Sequence, residues 1–306
     1  MRDHWQKANA TILWSRRKLR RALQQVVPAH LGHKWYPNRS LDLSDRASHA
    51  CAILTDGEYA VFAKYSDASE GLEQFEIEAA SLRLLSRRAG VRTPRVLGVV
   101  PVAWGGVLVL EAVDAVAPGP RHWREVGRTL ARIHRVEGER FGLGRPSYLG
   151  RLYQDNTPLD SWPCFFAERR LLPALRLAID SGNVPRETVR QVERLIGRLP
   201  ALCGPDVAPV LVHGDAQRNS FIPSAAGVVV IDPALYYGHP EMDLASIDCF
   251  RRVPDDVFDA YREMLPIDPG FWERRDLWRV WGYLTAASAE GGDHLERLAR
   301  AVRKYL

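Results

Sequence analysis

Two neighbouring stretches, LVHGDAQRNSF (residues 211–221) and VVVIDPALYYGHPEMDLA (residues 228–245), decide how this 306-residue chain is interpreted. Each begins with a short apolar run typical of a buried strand, and an acidic residue follows it: Asp215 in the first stretch and Asp232 in the second. One such carboxylate can orient a hydroxyl and accept its proton while the other holds Mg²⁺ on a polyphosphate. His-x-Asp alone is as typical of a capped turn as of a catalytic loop. The second aspartate makes kinase-type phosphoryl transfer the leading interpretation.

A lysine inside an apolar strand supplies a second element of this chemistry. Lys64 ends the run VFAK, and a buried ammonium needs a fixed anion because its desolvation is costly. The helix that follows carries Glu76 and Glu78, and a Lys–Glu pair that clamps the α- and β-phosphates of a nucleotide is the expected arrangement. The alternative is a lysine at a strand edge with its ammonium in water.

The chain pattern predicts a sheet-rich part followed by a helical part. ASHACAIL (47–54) and YAVFAKY (59–65) predict a hairpin, and residues 74–89 predict a helix that Gly90 caps. After the strand VLVLEAV (107–113), apolar residues recur with helical spacing. The last helices are expected to place four large side chains in the core: Trp272, Trp278, Trp281 and Leu284.

Composition and cysteine usage exclude several classes of protein. With 46% apolar and 26% charged residues, the chain fits a globular protein and not a disordered or fibrous one. Its four cysteines form no Cys-x-x-Cys pair, which argues against a disulfide scaffold and a structural zinc site. We find no signal-peptide or membrane-anchor pattern, and we expect a cytoplasmic protein with no membrane partner.

We interpret the net positive charge of the chain as a result of its arginine-rich composition and not as a sign of a nucleic-acid-binding surface. Of the 42 basic residues, five are lysines, which leaves 37 arginines, and the net charge is +5. Such a skew is typical of GC-rich coding sequences. The densest run is on an amphipathic helix, for which a solvated face is favoured over a nucleic-acid surface, and no nucleic-acid partner is expected. This densest run of basic residues comprises Arg16, Arg17, Lys18, Arg20 and Arg21.

Taken together, these motifs resemble the aminoglycoside phosphotransferase-like kinases, and within them the fructosamine (ketosamine) kinase group. The likeness runs in order through VFAK, QFEIEAASLRLL, LVLEAV, GRTLARIHR, QDNTPLDSWPCFFAERRLLPAL and the two stretches quoted above. It implies an α+β, protein kinase-like two-lobed fold, with a small antiparallel sheet lobe and a larger helical lobe. The implied N-terminal lobe covers residues 1–110, the hinge residues 111–113, and the helical C-terminal lobe residues 114–306.

The resemblance also implies roles for individual residues. Asp215 would be the catalytic base and Asp232 the principal Mg²⁺ ligand. Lys64 would bind the phosphates of ATP, or of GTP, with Glu78 rather than Glu76 holding it in place.

Supporting roles follow from the same resemblance. The backbone of Glu111, Ala112 and Val113 would bind adenine. His213 would pack beneath the catalytic loop, and Asp243 would brace that loop.

Two departures from the family pattern stand out. The family usually has Asn as a second metal ligand five residues after the catalytic Asp, where this chain has Ser220, with Asn219 one position earlier. Either side chain could serve, and Asn219 is slightly favoured. The phosphate-covering hairpin has no glycine in residues 45–50, so Ser48 and nearby N–H groups must replace a glycine-rich turn. A non-catalytic nucleotide-binding protein with a basic interaction helix therefore stays an alternative.

The acceptor is expected to contain a sugar. Candidate contacts on the acceptor side are Gln154, Asn156, Trp162 and Arg169, together with His239, for which a turn-stabilising role is equally favoured. One acceptor class is an aminoglycoside- or nucleoside-type antibiotic, and the other is a ketosamine such as fructosamine or ribulosamine. The arginine-rich composition and the altered catalytic loop slightly favour the antibiotic. Oligomeric state is left open.

Overall fold

The computed structural model describes residues 6–7 and 17–306, and these form two compact units. Unit 1 contains the described residues up to Ala117 together with two later segments, Tyr148–Leu152 and Ile222–Asp232. Unit 2 contains Pro118–Ser147, Tyr153–Phe221 and Pro233–Leu306. Arg16 of the basic run lies outside the described residues.

Unit 1 is built on a six-stranded sheet in which every neighbouring pair of strands is antiparallel, in the order β1-β2-β3-β4-β6-β5. The strands are β1 (Gln6–Lys7), β2 (Arg39–Asp42), β3 (Ala50–Thr55), β4 (Ala60–Ser66), β5 (Val96–Val102) and β6 (Gly105–Glu111). The register places Lys64 of β4 between Cys51 of β3 and Leu108 of β6. Lys64 is therefore on an inner strand of the sheet.

The two faces of the sheet carry different helices. On β6, Val107 and Val109 belong to one hydrophobic cluster and Leu108 and Leu110 to the other, as the two-residue period of a strand requires. Helix α1 (Arg17–Leu31) packs on the first face through its buried residues Leu19, Leu23 and Val27. Helix α2 (Gly71–Leu84) packs on the second face through Phe75, Ala79 and Leu82.

The basic run on α1 lies on the opposite side of that helix from its buried stripe. Arg17, Lys18, Arg20 and Arg21 are all exposed. This arrangement agrees with the predicted solvated helix face.

Helix α2 continues into one π-helical turn, Leu85–Ala89, and then stops. Gly90 follows with a φ of 63°, in the left-handed conformation that glycine adopts without steric cost. The predicted cap is therefore present, although the helix begins three residues earlier than the predicted 74–89.

Unit 2 is mainly helical. Its helices are α3 (Pro120–His134), α4 (Trp162–Phe166), α5 (Leu172–Ser181), α6 (Arg186–Leu202), α7 (Glu241–Ser246), α8 (Asp256–Arg262), α9 (Phe271–Glu290) and α10 (Asp293–Arg303). A π-helical turn, Ala167–Leu171, joins α4 to α5. Among the described residues, no helix is both long and apolar enough to cross a membrane.

Three short two-stranded sheets complete the fold. The pairs are β7 (Ser147–Leu149) with β8 (Leu152–Gln154), β9 (Val210–Val212) with β12 (Tyr236–Gly238), and β10 (Phe221–Ser224) with β11 (Gly227–Val230). The predicted short strands near residues 210–212 and 228–231 correspond to β9 and β11.

Of the four side chains predicted for the core of the last helices, three are buried. Trp278, Trp281 and Leu284 are at most 8% exposed. The prediction for Trp272 is wrong: it is 39% exposed, in the first turn of α9, with the Arg275 guanidinium over its ring. Near a helix end, one ring face can pack on the protein while the other is covered only by a mobile charged side chain.

Candidate active site

Lys64 is buried because strand alternation turns it toward α2. Phe62 and Lys64 lie on the same face of β4, and Phe62 packs against the cluster that contains Phe75 and Leu82 of α2. Glu78 follows Phe75 by three residues and precedes Leu82 by four, so it shares their side of the helix. Glu76, by contrast, is exposed.

The Lys64 ammonium lies between two carboxylates. Its Nζ donates to Oε1 of Glu78 at 2.7 Å and to Oδ1 of Asp232 at 2.5 Å, and Lys64 is 7% exposed. Burial alone would lower the pKa of Lys64, but the Asp232 and Glu78 carboxylates outweigh it and hold that pKa above its ordinary value. Lys64 therefore stays charged at neutral pH.

Glu78 is more strongly desolvated than Asp232. Burial raises the pKa of Glu78, the Lys64 charge opposes that rise, and the neighbouring Asp232 carboxylate adds to it. The Glu78 side chain is 16% exposed and that of Asp232 is 43% exposed. Asp232 is thus the carboxylate of this pair that solvent and ions reach.

Asp232 also has an uncommon backbone conformation. Its φ of 55° makes it the one non-glycine residue with positive φ in the described part of the chain. Aspartate tolerates this left-handed region better than most residues, yet such a conformation costs on the order of 1–3 kcal/mol and is found mainly at functional sites.

The predicted hinge begins at the end of β6. The Glu111 N–H donates to Arg95 O at 2.9 Å, and the Ala112 N–H donates to Ala60 O at 3.0 Å. For the Val113 N–H, no acceptor is recorded among residues 6–7 and 17–306.

A buried aspartate organises the loop that contains Asp215. Asp243, in α7, is 1% exposed and accepts the N–H groups of His213 at 2.6 Å and of Gly214 at 3.1 Å. Gly214 has a φ of 79°, and a Cβ there would lie 2.1 Å from Ala234 O, so only glycine fits. His213 is fully buried, and its Nδ1 accepts the Asp215 N–H at 3.2 Å.

Two further residues hold Asp243 from the helical side, and sequence reasoning missed them. His134 of α3 donates from Nε2 to Oδ2 of Asp243 at 3.1 Å, and its Nδ1 lies 2.9 Å from the Tyr261 hydroxyl. A carboxylate oxygen only accepts, so Nε2 of His134 carries a proton toward Asp243. Burial, with the Asp243 and Glu241 charges, raises the pKa of Tyr261, which keeps its hydroxyl protonated. GRTLARIHR contains His134, but its partners are more than 100 positions away.

The Asp215 carboxylate has a local hydrogen-bond donor that the motif did not reveal. Gln217 Nε2 donates to Asp215 Oδ1 at 2.8 Å. Asp215 is half-buried, so the residue stays within reach of solvent.

The two candidates for the second metal ligand differ in exposure. Ser220 is 2% exposed, and its hydroxyl donates to the Asp215 carbonyl at 2.8 Å. Asn219 precedes it in the same 3₁₀ turn, Arg218–Ser220, and is exposed. The Ser220 hydroxyl therefore closes the loop, and the Asn219 amide is the more accessible oxygen.

Most of the predicted acceptor-side residues come together inside unit 2. Ser147 Oγ donates to Gln154 Oε1 at 2.9 Å, and Asn156 Nδ2 donates to the same hydroxyl at 3.0 Å. Arg170, next to the predicted Arg169, donates from Nη2 to Asn156 Oδ1 at 2.6 Å. Gln154 and Asn156 are almost fully buried, so their polar atoms mainly satisfy one another.

Trp162 and His239 belong to a buried aromatic cluster. Their ring centroids are 5.9 Å apart, and both rings contact Trp278. His239 Nδ1 accepts the Glu241 N–H at 3.1 Å, and burial, with the Arg274 charge, lowers the pKa of His239 to about 3. The neutral ring therefore carries its proton on Nε2.

Several buried nitrogens in this region have no hydrogen-bond partner among the described residues. They are Gln154 Nε2, Trp162 Nε1, Arg170 Nε and His239 Nε2. Unpaired buried donors are rare and costly, so each of them calls for a partner such as a water molecule or a ligand. Arg169 is different: it lies nearer the surface and pairs with Asp155 at 3.4 Å.

Comparison with known proteins identifies relatives along almost the whole chain. The family model described as fructosamine kinase matches residues 20–306. A probable ketoamine kinase of Synechocystis sp. is 32% identical over 259 residues, which is 83% of this chain and 85% of that protein. A putative fructosamine-3-kinase structure from Thermobifida fusca is 30% identical, with a TM-score of 0.81 over 93% of this chain and 98% of that one.

A more distant structure shares the fold alone. Aminoglycoside phosphotransferase APH(4)-Ia, solved as a ternary complex with ADP and hygromycin B, is 14% identical. Its TM-score is 0.59 over 92% of this chain and 98% of that one. These findings confirm the predicted kinase-like α+β fold and the family resemblance. They do not support the antibiotic acceptor that the sequence slightly favoured, and they do support its alternative, a ketoamine kinase.

Proposed function

The chain belongs to the fructosamine kinase family and is a small-molecule phosphotransferase, and we propose that it transfers the γ-phosphoryl group of Mg·ATP to a hydroxyl of a ketoamine. A ketoamine is a sugar joined to an amine, as in fructosamine or ribulosamine. The observation that carries the proposal is the family match over residues 20–306, combined with the buried Lys64–Glu78–Asp232 cluster.

The acceptor class rests on the relatives. Those that share about 30% identity over most of this chain have names that specify ketoamines or fructosamine. The aminoglycoside enzyme is 14% identical, so its likeness supports a common fold and gives no argument about the acceptor.

The residues present fit a nucleotide with Mg²⁺. Mg²⁺ prefers oxygen ligands and is usually held by one or two carboxylates plus phosphate oxygens. In unit 1, Asp232 offers a partly exposed carboxylate as the principal Mg²⁺ ligand. In unit 2, the exposed amide oxygen of Asn219 has the chemistry of a second Mg²⁺ ligand. Ser220 is less suited to direct ligation because its hydroxyl is buried against Asp215 O.

Lys64 would bind the nucleotide phosphates, with Glu78 keeping its ammonium oriented. Ser48 and its neighbouring backbone would cover the phosphates, and the backbone of Glu111, Ala112 and Val113 would receive the adenine. When bound, Mg·ATP supplies the phosphoryl group and the positive charge that stabilises it during transfer.

Asp215 would act on the acceptor. Its carboxylate would orient the hydroxyl and take the hydroxyl proton as the hydroxyl oxygen bonds to the γ-phosphorus and ADP leaves. The Gln217 amide donates to Oδ1 of this carboxylate and would help to orient it toward the acceptor hydroxyl. Asp243 and His213 fix the backbone that leads into Asp215, and the Ser220 hydroxyl holds the Asp215 carbonyl, so the base would be positioned before substrate binds.

The acceptor-side cluster would select the sugar. Gln154, Asn156, Trp162 and His239 are too buried to be a ready-made exposed surface, and we assign them to the wall that shapes the acceptor pocket. Arg169, which is only partly buried, would contact the acceptor more directly.

A panel of acceptors tests the proposal. The protein is incubated with Mg²⁺ and ATP or GTP and with fructosamines, ribulosamines, aminoglycosides and sugar-bearing nucleoside antibiotics. Mass spectrometry then detects added phosphate, with the Asp215→Asn variant as the blank. Phosphorylated ketoamines that are absent from the blank would support the proposal.

Other outcomes of the panel would contradict it. Phosphorylation of an antibiotic with no ketoamine product would refute the proposed acceptor and keep the kinase. Mg²⁺-dependent nucleotide binding without any product would favour a non-catalytic nucleotide-binding protein, and recovery of activity in Ser220→Asn would then implicate the altered loop.

A further inference from the structure

The segment that replaces a glycine-rich turn is the phosphate loop, residues 43–49 between β2 and β3. Its base is closed by hydrogen bonds: the Leu43 N–H donates to Cys51 O at 3.0 Å, and the Cys51 N–H donates to Ser44 Oγ at 3.1 Å. Asp42 Oδ1 accepts the Ser44 N–H at 2.9 Å. These contacts fix where the loop leaves the sheet, but they do not reach its tip at Ser48.

The tip has one anchor on α2. His49 is 7% exposed, and its ring nitrogen Nε2 is 2.9 Å from Oε1 of Gln74. An amide oxygen only accepts, so Nε2 carries the proton. The ring also makes an edge contact with Phe75, at 5.2 Å between centroids. His49 thus attaches the loop to the helix that carries Glu78.

A second anchor comes from a distant part of the sequence that folds into unit 1. Arg151 Nε donates to the Ser48 carbonyl at 2.9 Å. Gly150 lies against the Ser48 side chain, since a Cβ at this position would be 3.1 Å from Ser48 Oγ. The same segment is tied to α2, because the Tyr148 hydroxyl donates to Glu73 Oε2 at 3.2 Å.

Holding the Ser48 carbonyl has a direct consequence for the next N–H group. The Ser48 C=O and the His49 N–H belong to one planar trans peptide, so they point in opposite directions. Fixing the carbonyl therefore fixes the direction of the N–H. In the described part of the chain, no backbone carbonyl is recorded as an acceptor for the His49 N–H, which supports a ligand as the acceptor of this donor.

The loop tip also lies close to the charged cluster of the candidate active site. Burial lowers the pKa of His49, and the hydrogen bond to Gln74 raises it. Cys51, two residues after His49, pairs with Lys64 in the register of β3 and β4, so the loop tip adjoins the strand pair that carries Lys64.

We propose that Arg151 is a positioning residue for nucleotide binding: by holding the Ser48 carbonyl, it presents the His49 N–H to the nucleotide phosphates. This inference rests on the proposed use of a nucleotide and goes beyond it, because it assigns a function to a segment outside the recognised motifs. The side-chain anchors Arg151 and His49 fix a loop conformation that a glycine-rich turn reaches through backbone freedom.

The test compares ligands with and without phosphates. Binding of Mg·AMP-PNP and of adenosine to the full chain is measured by calorimetry at one ionic strength. Arg151→Ala is expected to weaken AMP-PNP binding about tenfold, which is about 1.4 kcal/mol, while the adenosine affinity changes less than about twofold. Arg151→Lys, which keeps a charged donor, should recover part of the loss.

Two further variants sharpen the comparison. Arg87 is a matched control because it is exposed, lies in unit 1 and donates to a backbone carbonyl, that of Arg83. Arg87→Ala should leave both affinities unchanged. Gly150→Ala introduces a side chain at a φ of 58° against Ser48, so it should weaken AMP-PNP binding selectively.

The outcomes separate this inference from the proposed function. An Arg151→Ala variant that binds AMP-PNP as the unmodified chain does, or that loses adenosine and AMP-PNP affinity equally, would overturn the inference alone. If the unmodified chain bound no AMP-PNP, both the inference and the proposed use of a nucleotide would be refuted. A missing ketoamine product would leave the binding result, and hence this inference, unaffected.

Discussion

The buried imidazole of His239 gives a stability prediction whose size can be worked out. In the folded chain the ring is 2% exposed, and its pKa is lowered to about 3 from an ordinary value of 6.5. Burial is the main cause, and the nearby Arg274 and His134 act in the same direction, with Asp268 opposing them. Protonation is therefore far easier in the unfolded chain than in the folded one.

The sign and magnitude follow from proton linkage. Because the folded pKa lies below the unfolded one, the unfolded state takes up more protons as the pH falls, and the free energy of unfolding decreases below pH 6.5. Between pH 7.5 and pH 5.0 this single group removes about 2 kcal/mol. The result hardly depends on the exact folded pKa, provided that it is below about 4.

The assay is urea-induced unfolding at the two pH values, followed by tryptophan fluorescence. His239→Asn keeps an acceptor for the Glu241 N–H and cannot be protonated, so it should lose about 2 kcal/mol less than the unmodified chain over this interval. His33→Asn, a change at an exposed histidine, is the control and should behave as the unmodified chain. Equal losses in His239→Asn and the unmodified chain would refute the buried, neutral imidazole.

Three other predictions concern the catalytic loop. Asp215→Asn should lower turnover by on the order of 10²–10⁴ while nucleotide affinity is retained, as steady-state kinetics and calorimetry would measure. Gln217→Leu should reduce kcat by about tenfold with little change in KM, because it removes a donor that orients the base without touching the binding surface; a change in KM alone would contradict this. Asn219→Ala should raise the Mg²⁺ concentration needed for half-maximal rate, whereas Ser220→Ala should mainly lower the melting temperature, and the reverse pattern would assign the metal to Ser220.

The elements of the fold that local pattern controls were predictable. The apolar alternation around Lys64 and the glycine after the helix at Gly90 both depend on residues within a few positions of one another, and both are present. The π-helical turn before Gly90 was not predictable, since one extra residue in a helical turn leaves little trace in a 3.6-residue pattern. The 74–89 prediction therefore ended at the correct residue but did not identify residues 85–89 as π-helical, and it began three residues late.

The candidate site likewise contains residues that the sequence predicted and residues that it did not. The motifs identified the aspartates of the two loops, but they did not identify what holds them. His134 contacts Asp243 across 109 positions, and no periodicity connects such residues. Gln217 is adjacent to Asp215 in the sequence, yet its amide could as easily have pointed to solvent.

The predicted preference for an antibiotic acceptor was not supported, and the reason is different. An arginine-rich composition reflects coding bias across the whole chain, whereas acceptor choice depends on a few side chains in one pocket. Average composition therefore carries no information about the shape of that pocket.

The two departures from the family pattern are alike, because in both loops a side-chain hydrogen bond fixes the backbone conformation. At the metal-binding loop, the family's Asn position is Ser220, whose hydroxyl closes the turn on Asp215 O, and the exposed amide moves one residue back to Asn219. At the phosphate loop, glycine is replaced by residues whose conformation Arg151 and His49 fix through hydrogen bonds. In both loops a side-chain hydrogen bond takes over a constraint that another residue type supplies elsewhere in the family. A decayed site would be expected to show unsatisfied loops and a broken Lys64 cluster, whereas here both loops are closed and the Lys64 ion pairs are intact, which argues for a working kinase.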